Sequence, residues 1–184
     1  MNLAALAASG TYELTGTDVS AEALALAGGR TSGVRLLPLD IERESIQARF
    51  DLVISIQVVE HVVDDVAALR NMASMAAKYV FTSTMAGRMR RSEPAIGHVR
   101  NYSKIELRRK LELAGLDVLW LRGWGFPWYS PLYRTAAEWL PGGPPSGQLT
   151  RGTRAAAAAL HGLYRLNVPG RGDVISALAR VPGS

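Results

Sequence analysis

The stretch FDLVISIQVVEHVVDDVAALRNMASMAAKYVFTST (50–84) decides the fold. Its opening, FDLVISI (50–56), is a near-continuous apolar run of strand length, the pattern of a strand buried on both faces. VVDDVAALRNMASMA (62–76) then spaces its apolar residues as a helix does. Asp64 and Asp65 fall in the first turn, where the helix dipole favours a carboxylate. KYVFTST (78–84) is a second buried strand. Strand, helix and strand in direct succession make a crossover unit, and crossovers build parallel sheets.

The same alternation continues outward in both directions. Upstream, NLAALAAS (2–9) is helix-forming and stops at Gly10. TYELTGTD (11–18) reads as a strand and SAEALALAGG (20–29) as a helix capped by Ser20 and stopped at Gly28. VRLLPLD (34–40) is the next strand. Downstream, Ser103 caps the helix KIELRRKLELAG, which stops at Gly115, and LDVLWLR (116–122) is a strand. The expectation is an α/β chain with a doubly wound, mostly parallel sheet and helices on both faces. After Arg122 the pattern breaks. WGFPWYSPLY (124–133) is aromatic and Pro-punctuated, PGGPPSGQ (141–148) is a Pro/Gly loop, and TRAAAAALHGLYRL (153–166) is a helix. GDVISALAR (172–180) returns to strand. Residues 1–184 therefore read as one domain, with an aromatic and helical insertion at about 124–168 before the final strand at 172–180.

Composition narrows the chemistry. At 184 residues the chain buries roughly 70% of its unfolded surface. Cys is absent, which removes disulfides, thiolate metal sites and a Cys nucleophile. His61, His98 and His161 lie far apart in sequence, so there is no local metal motif and no metal is expected. No apolar run reaches the ~18 residues of a spanning helix, and MNLAALAASG has neither the basic start nor the length of a secretory signal. A cytoplasmic protein is the default expectation.

Charge is uneven. Residues 1–75 carry 5 basic and 10 acidic side chains, and residues 76–184 carry 16 and 6. The second half could attract an anionic substrate, a membrane surface or RNA, but it has no compact basic-aromatic motif, so no specific nucleic acid is expected. Arg88, Arg90, Arg91 and Arg100 read as a solvated loop or as anion-steering residues.

Two strands that each end in an acid carry more information. Ligands of doubly wound sheets bind outside the carboxyl ends of the strands. Asp18 is placed there to accept both hydroxyls of a ribose. Asp40 is placed to accept from an adenine amine, with Leu39 and Ile41 as apolar cover.

With those residues in view, the chain resembles the class I, Rossmann-like S-adenosylmethionine-dependent methyltransferases. The matching segments are YELTGTDVSAEALALA, LPLDIE, FDLVISIQVVEHVVD, KYVFTST and GHVRNYSKIELRRKLELAGLDVLWLRGWGFP, in the family's order and spacing over most of 11–127. The resemblance implies S-adenosylmethionine as cofactor, an antiparallel last strand, and an acceptor that is a small or lipid-like molecule. It places Asp18 and Val19 at the ribose, Leu39, Asp40 and Ile41 at the adenine, and Gln57 beside the methionine part. His98, a candidate base, and Tyr102 would face the acceptor. Glu60 and His61 resemble a common family pair, read here as structurally hydrogen-bonded. Trp124, Phe126 and Trp128 either cover the end of the sheet, wall an apolar acceptor pocket, or rest on a membrane interface. The helix at 153–166 reads as a core-packing or homodimer helix.

One departure from the family stands out. The family opens with a strand and a GxGxG-type loop before its first helix, and NLAALAASG fits that helix. The first strand and the loop are therefore expected to be missing, which leaves unpaired edges on the strands at 11–17 and 51–56 and impairs activity. The alternative reading is a catalytically inactive methyltransferase-like subunit that binds a protein partner through those edges.

Overall fold

The computed structural model describes residues 3–139 and 151–183, so the Pro/Gly loop 141–148 lies outside the described residues. The element order is α1 (Leu3–Ala8), β1 (Leu14–Asp18), α2 (Ala21–Gly28), β2 (Val34–Pro38), β3 (Phe50–Ile56), α3 (Asp65–Met75), β4 (Ala76–Met85), α4 (Lys104–Leu113), β5 (Asp117–Trp124), α5 (Arg134–Trp139), α6 (Arg151–Tyr164) and β6 (Val174–Arg180). The mixed α/β architecture follows the alternation in the sequence.

Local chemistry sets the helix starts. Ser20 Oγ accepts from Ala23 N at 3.2 Å, Asp64 Oδ1 from Ala67 N at 2.9 Å, and Ser103 Oγ from Glu106 N at 3.1 Å. Each cap satisfies a donor the helix leaves unpaired and contributes about 1 kcal/mol.

The strands form two sheets, not one. β1 and β2 make a parallel pair, and β3-β4-β6-β5 make a four-stranded sheet. β3 pairs β4 in parallel, while β6 runs antiparallel to both β4 and β5. The last strand is thus antiparallel, as the resemblance implied. β1 and β3 do not pair with each other, and among the described residues each has one hydrogen-bonded neighbour.

This corrects the reading of β3 as doubly buried. Leu52 is 45% and Ile54 38% exposed, and Ser55 is the only fully buried residue of the strand. An apolar run buries both faces only when both flanks are covered, and β3 has β4 on one side alone.

The core lies between the four-stranded sheet and α3 with α4. Val80, Ile175, Ala177 and Ala179 point from the sheet into Leu69, Met72, Leu107 and Leu111. β6 contributes Ala177 and Ala179 where its neighbours contribute Thr82, Leu121, Val80 and Val118, and α4 packs against it. The smaller unit is thinner. α1, β1 and α2 contain no buried residue, and Leu3 and Leu36 close over Gly16, where a Cβ would stand 2.8 and 2.9 Å from their methyl groups.

Between β5 and β6 the chain makes a kinked helical turn, Trp128–Tyr133, in which Ser130 is extended, and then enters α5. The composition announced aromatic cover here but not this helix. The N–H of Trp128 donates to Asn167 Oδ1 at 3.0 Å.

Candidate functional site

The residues nominated from sequence gather at one end of the strands, the carboxyl end of β1 through β5. They form three groups, with the aromatics Trp124, Phe126 and Trp128 as a fourth.

The first is on the small unit. Asp18 ends β1 and is exposed; its Oδ1 accepts from Ser20 N at 2.8 Å. Val19 beside it is 74% exposed. The parallel register brings Leu39 alongside, its N–H donating to Asp18 O at 3.1 Å. Leu39 is buried, while Asp40 and Ile41 are half-buried. Asp40 Oδ1 accepts from Glu42 N at 3.1 Å and its Oδ2 meets Arg43 Nε at 3.2 Å. Asp40 thus braces its own turn, with no helix following. The second group is Gln57 alone, just past β3. Its N–H donates to Ser83 O at 2.8 Å and its φ is +55°, the one non-glycine residue in the left-handed region among the described residues. Such conformations cost of order 1–3 kcal/mol and gather at functional positions.

The third group is built by residues 58–65 and 86–103. Val99 N donates to Glu60 O at 2.8 Å, which lays the second loop across the first. Here the expected acceptor-facing role of Tyr102 gives way to a structural one. Its ring is 1% exposed, and its hydroxyl lies 2.7 Å from Asp65 Oδ2 and 2.9 Å from Val59 O. Asp65 Oδ2 also receives Lys110 Nζ at 2.6 Å and Arg100 Nη1 at 2.5 Å. Burial pushes the Asp65 carboxyl up, but the hydrogen bonds from Lys110, Tyr102 and Arg100 outweigh it and hold the group below its ordinary range. Burial and the Asp65 charge both push the Tyr102 phenol up.

A second ionic centre joins the insertion to the sheet. Arg134, at the start of α5, is buried and pairs with Glu93 and, at 2.6 Å, with Asp173 Oδ2. Ser130 Oγ donates to Asp173, and Arg90 reaches it at 4.0 Å. Two of the four arginines of this loop, Arg90 and Arg100, are engaged by carboxylates, while Arg88 and Arg91 are exposed.

His98 is buried, 8% exposed, and stands edge-on to His61 with ring centroids 4.6 Å apart. Glu60 is fully buried and has one side-chain partner, Thr84 Oγ1, which donates to Oε2 at 2.7 Å. Its Oε1 has none, so the reading of Glu60 as satisfied holds for one oxygen only.

Trp124 and Phe126 are 40% and 38% exposed. Trp124 leans on Tyr129 and Tyr164, with centroids at 5.5 and 5.8 Å, and Tyr129 stacks on Tyr133 at 6.0 Å. Burial pushes the Tyr164 phenol up to about 12. A separate cavity lined by Ser45, Ile46, Gln47, Ala48, Arg49 and Ser74 lies before β3, at the end of the sheet where such folds do not bind ligands.

Sequence reasoning missed Glu93, Arg134 and Asp173. Partners about 40 residues apart leave no local pattern, and the only signal was an acid at a strand start.

Residues 1–78 match a family described as a methyltransferase domain. A [4+2]-cyclase, SpnF, superposes with a TM-score of 0.64 at 16% identity, covering 98% of this chain and 70% of its own. An S-adenosylmethionine-dependent methyltransferase from Mesorhizobium loti gives 0.60 at 16% identity, covering 96% and 84%. Magnesium protoporphyrin IX methyltransferase from Synechocystis, with S-adenosylhomocysteine bound, gives 0.53 at 12% identity, covering 95% and 66%. No curated protein matches the chain.

Proposed function

From a chain that has the Rossmann-like fold of the class I S-adenosylmethionine-dependent methyltransferases, and their domain sequence over residues 1–78, we propose a methyltransferase acting on a small or lipid-like acceptor. The observation that carries this reading is that parallel β1 and β2 end side by side, with Asp18 opposite Pro38 and bonded to Leu39, just before Asp40 and Ile41.

S-adenosylmethionine supplies an electrophilic methyl group on a sulfonium. Asp18 keeps acceptor capacity beyond its one bond to Ser20 N and would take the ribose hydroxyls. Asp40 would accept from the adenine amine between Leu39 and Ile41. Gln57, held in its unusual conformation, would orient the amino-acid part; among the described residues it is the one nominee for that end. Trp124, Phe126 and Trp128 would wall the acceptor and exclude water. Placement then does most of the work, because a displacement needs nucleophile, carbon and sulfur in line.

Calorimetry tests this. Asp18→Ala and Asp40→Ala should each weaken donor binding by about 1–3 kcal/mol, with unfolding midpoints little changed, since both side chains lie outside the core. Equal affinities in all three proteins would reject the assignment.

The free edges of β1 and β3 favour a second reading, an inactive subunit that recruits a strand from a protein partner. Donor-binding heat with no methyl transfer to any acceptor would support it.

A further inference from the structure

We propose that Glu60, His61 and His98 form a binding site for a divalent first-row transition ion, zinc or a close relative. The sequence spaces the two histidines so far apart that no metal motif is visible, yet the fold stacks the loop after β3 on the loop after β4. One ligand atom from each residue then falls within 4.8 Å of the other two.

The burial pattern points to a cation at that spot. Glu60 is completely buried, and its Oε1 has no partner. Among the described residues, the one hydrogen bond to its side chain comes from a neutral hydroxyl, Thr84. A buried carboxylate with one neutral donor is poorly compensated, and such groups are paired or coordinate metals. His98 is 8% exposed and its Nδ1 is also without a partner. Two buried polar atoms without a partner, on residues whose ligand atoms lie within 4.8 Å of one another, are what a coordinating ion would satisfy.

The geometry and the donor set agree. Metal–ligand bonds of about 2.1 Å space tetrahedral ligands by about 3.4 Å, so atoms now within 4.8 Å of one another need to close by about 1.4 Å at most. His61 is exposed and free to supply that movement, while Glu60 and His98 stay fixed by packing. Thr84 holds the carboxylate in place from behind, as outer partners of metal ligands do. Two imidazoles with one carboxylate suit zinc, iron, cobalt or nickel over magnesium or calcium, which prefer all-oxygen sets. Three protein ligands leave a coordination position open, and exposed His61 puts it on the solvent side. The site adjoins the carboxyl ends of β3 and β4, so an oxygen-bearing acceptor could occupy that position; this last clause rests on the methyl-transfer reading, and the ion site does not.

The test uses the full, tag-free chain with zinc or cobalt chloride alone and no methyl donor. Calorimetry should show one ion per chain. His61→Ala and His98→Ala should each lower affinity at least tenfold, and His161→Ala, on α6, should not. Because His61 is exposed, its variant should fold, and circular dichroism checks this. The ion should raise the wild-type melting temperature and leave that of His61→Ala unmoved. A cobalt-loaded wild type should show a visible absorption band that the His61 variant lacks. No uptake by the wild type, or equal affinity in His61→Ala, would overturn the proposal.

Discussion

At the residue scale, one carboxylate organises the ground beneath the candidate site. Asp65 is 3% exposed and binds Tyr102, Arg100 and Lys110 at once. Asp65→Asn would leave two cations facing a neutral amide. We expect a loss of about 3 kcal/mol at neutral pH, at the lower end for broken buried pairs because Arg100 and Lys110 keep some solvent. The pH dependence has a definite sign. A carboxyl whose folded-state pKa is depressed stabilises the protein above its unfolded value and loses that contribution as pH falls through the folded value. The gap between wild type and Asp65→Asn should therefore be full above pH 3.8 and should shrink below it, as read by urea unfolding across pH 7 to 3. Local sequence marks Asp65 only for the helix dipole, because Tyr102 and Lys110 stand 37 and 45 residues away. The strand-end positions of Asp18, Asp40 and Gln57 were legible because strand ends are marked locally, by an apolar run that stops at a polar residue.

At the scale of elements, patterns with a local cause came through and patterns with a distant cause did not. FDLVISI was expected at 50–56 and β3 spans Phe50–Ile56, because apolar β-run and boundary are both written in those residues. Ser20 and Ser103 were expected as caps and serve as caps. The turn and helix at 128–139 were not foreseen, since Pro131 and the aromatics argue against a helix until Arg134 finds Glu93 and Asp173. The turn into β6 depends on one glycine. Gly172 has φ +122°, and a Cβ there would sit 2.2 Å from Trp124 O. Gly172→Ala should force β5 and β6 apart at that end. The expected cost is about 3 kcal/mol or more, seen as a lowered unfolding midpoint and altered near-ultraviolet signal from Trp124.

At the scale of the whole molecule, stability is divided unequally between the two sheets. The four-stranded sheet, α3, α4 and the loops that join them hold the buried apolar residues apart from Leu39, just past β2, while β1, β2 and α2 contribute none. Units with few buried contacts open at lower free energy than the core. Native-state hydrogen exchange should show the amides of β1 and β2 exchanging well before those of β4 and β6. Exchange of all four strands at one common rate would show that the sheets open together. The split was half legible: among the described residues β1 and β3 each have one unpaired edge, as expected, but the sequence implied one interrupted sheet, not a thick slab beside a thin one.

That division makes the nucleotide-sized ligand more than cargo. On the proposed reading, its sugar and base rest on the thin slab through Asp18 and Asp40, while its other end reaches Gln57 on the thick one. A molecule anchored on both would act as mortar, lending the weak half the firmness of the strong. At a concentration one hundred times its dissociation constant that mortar is worth about 2.7 kcal/mol. Cellular supply of the donor would then govern how long the thin slab stays folded, as well as how fast any reaction runs.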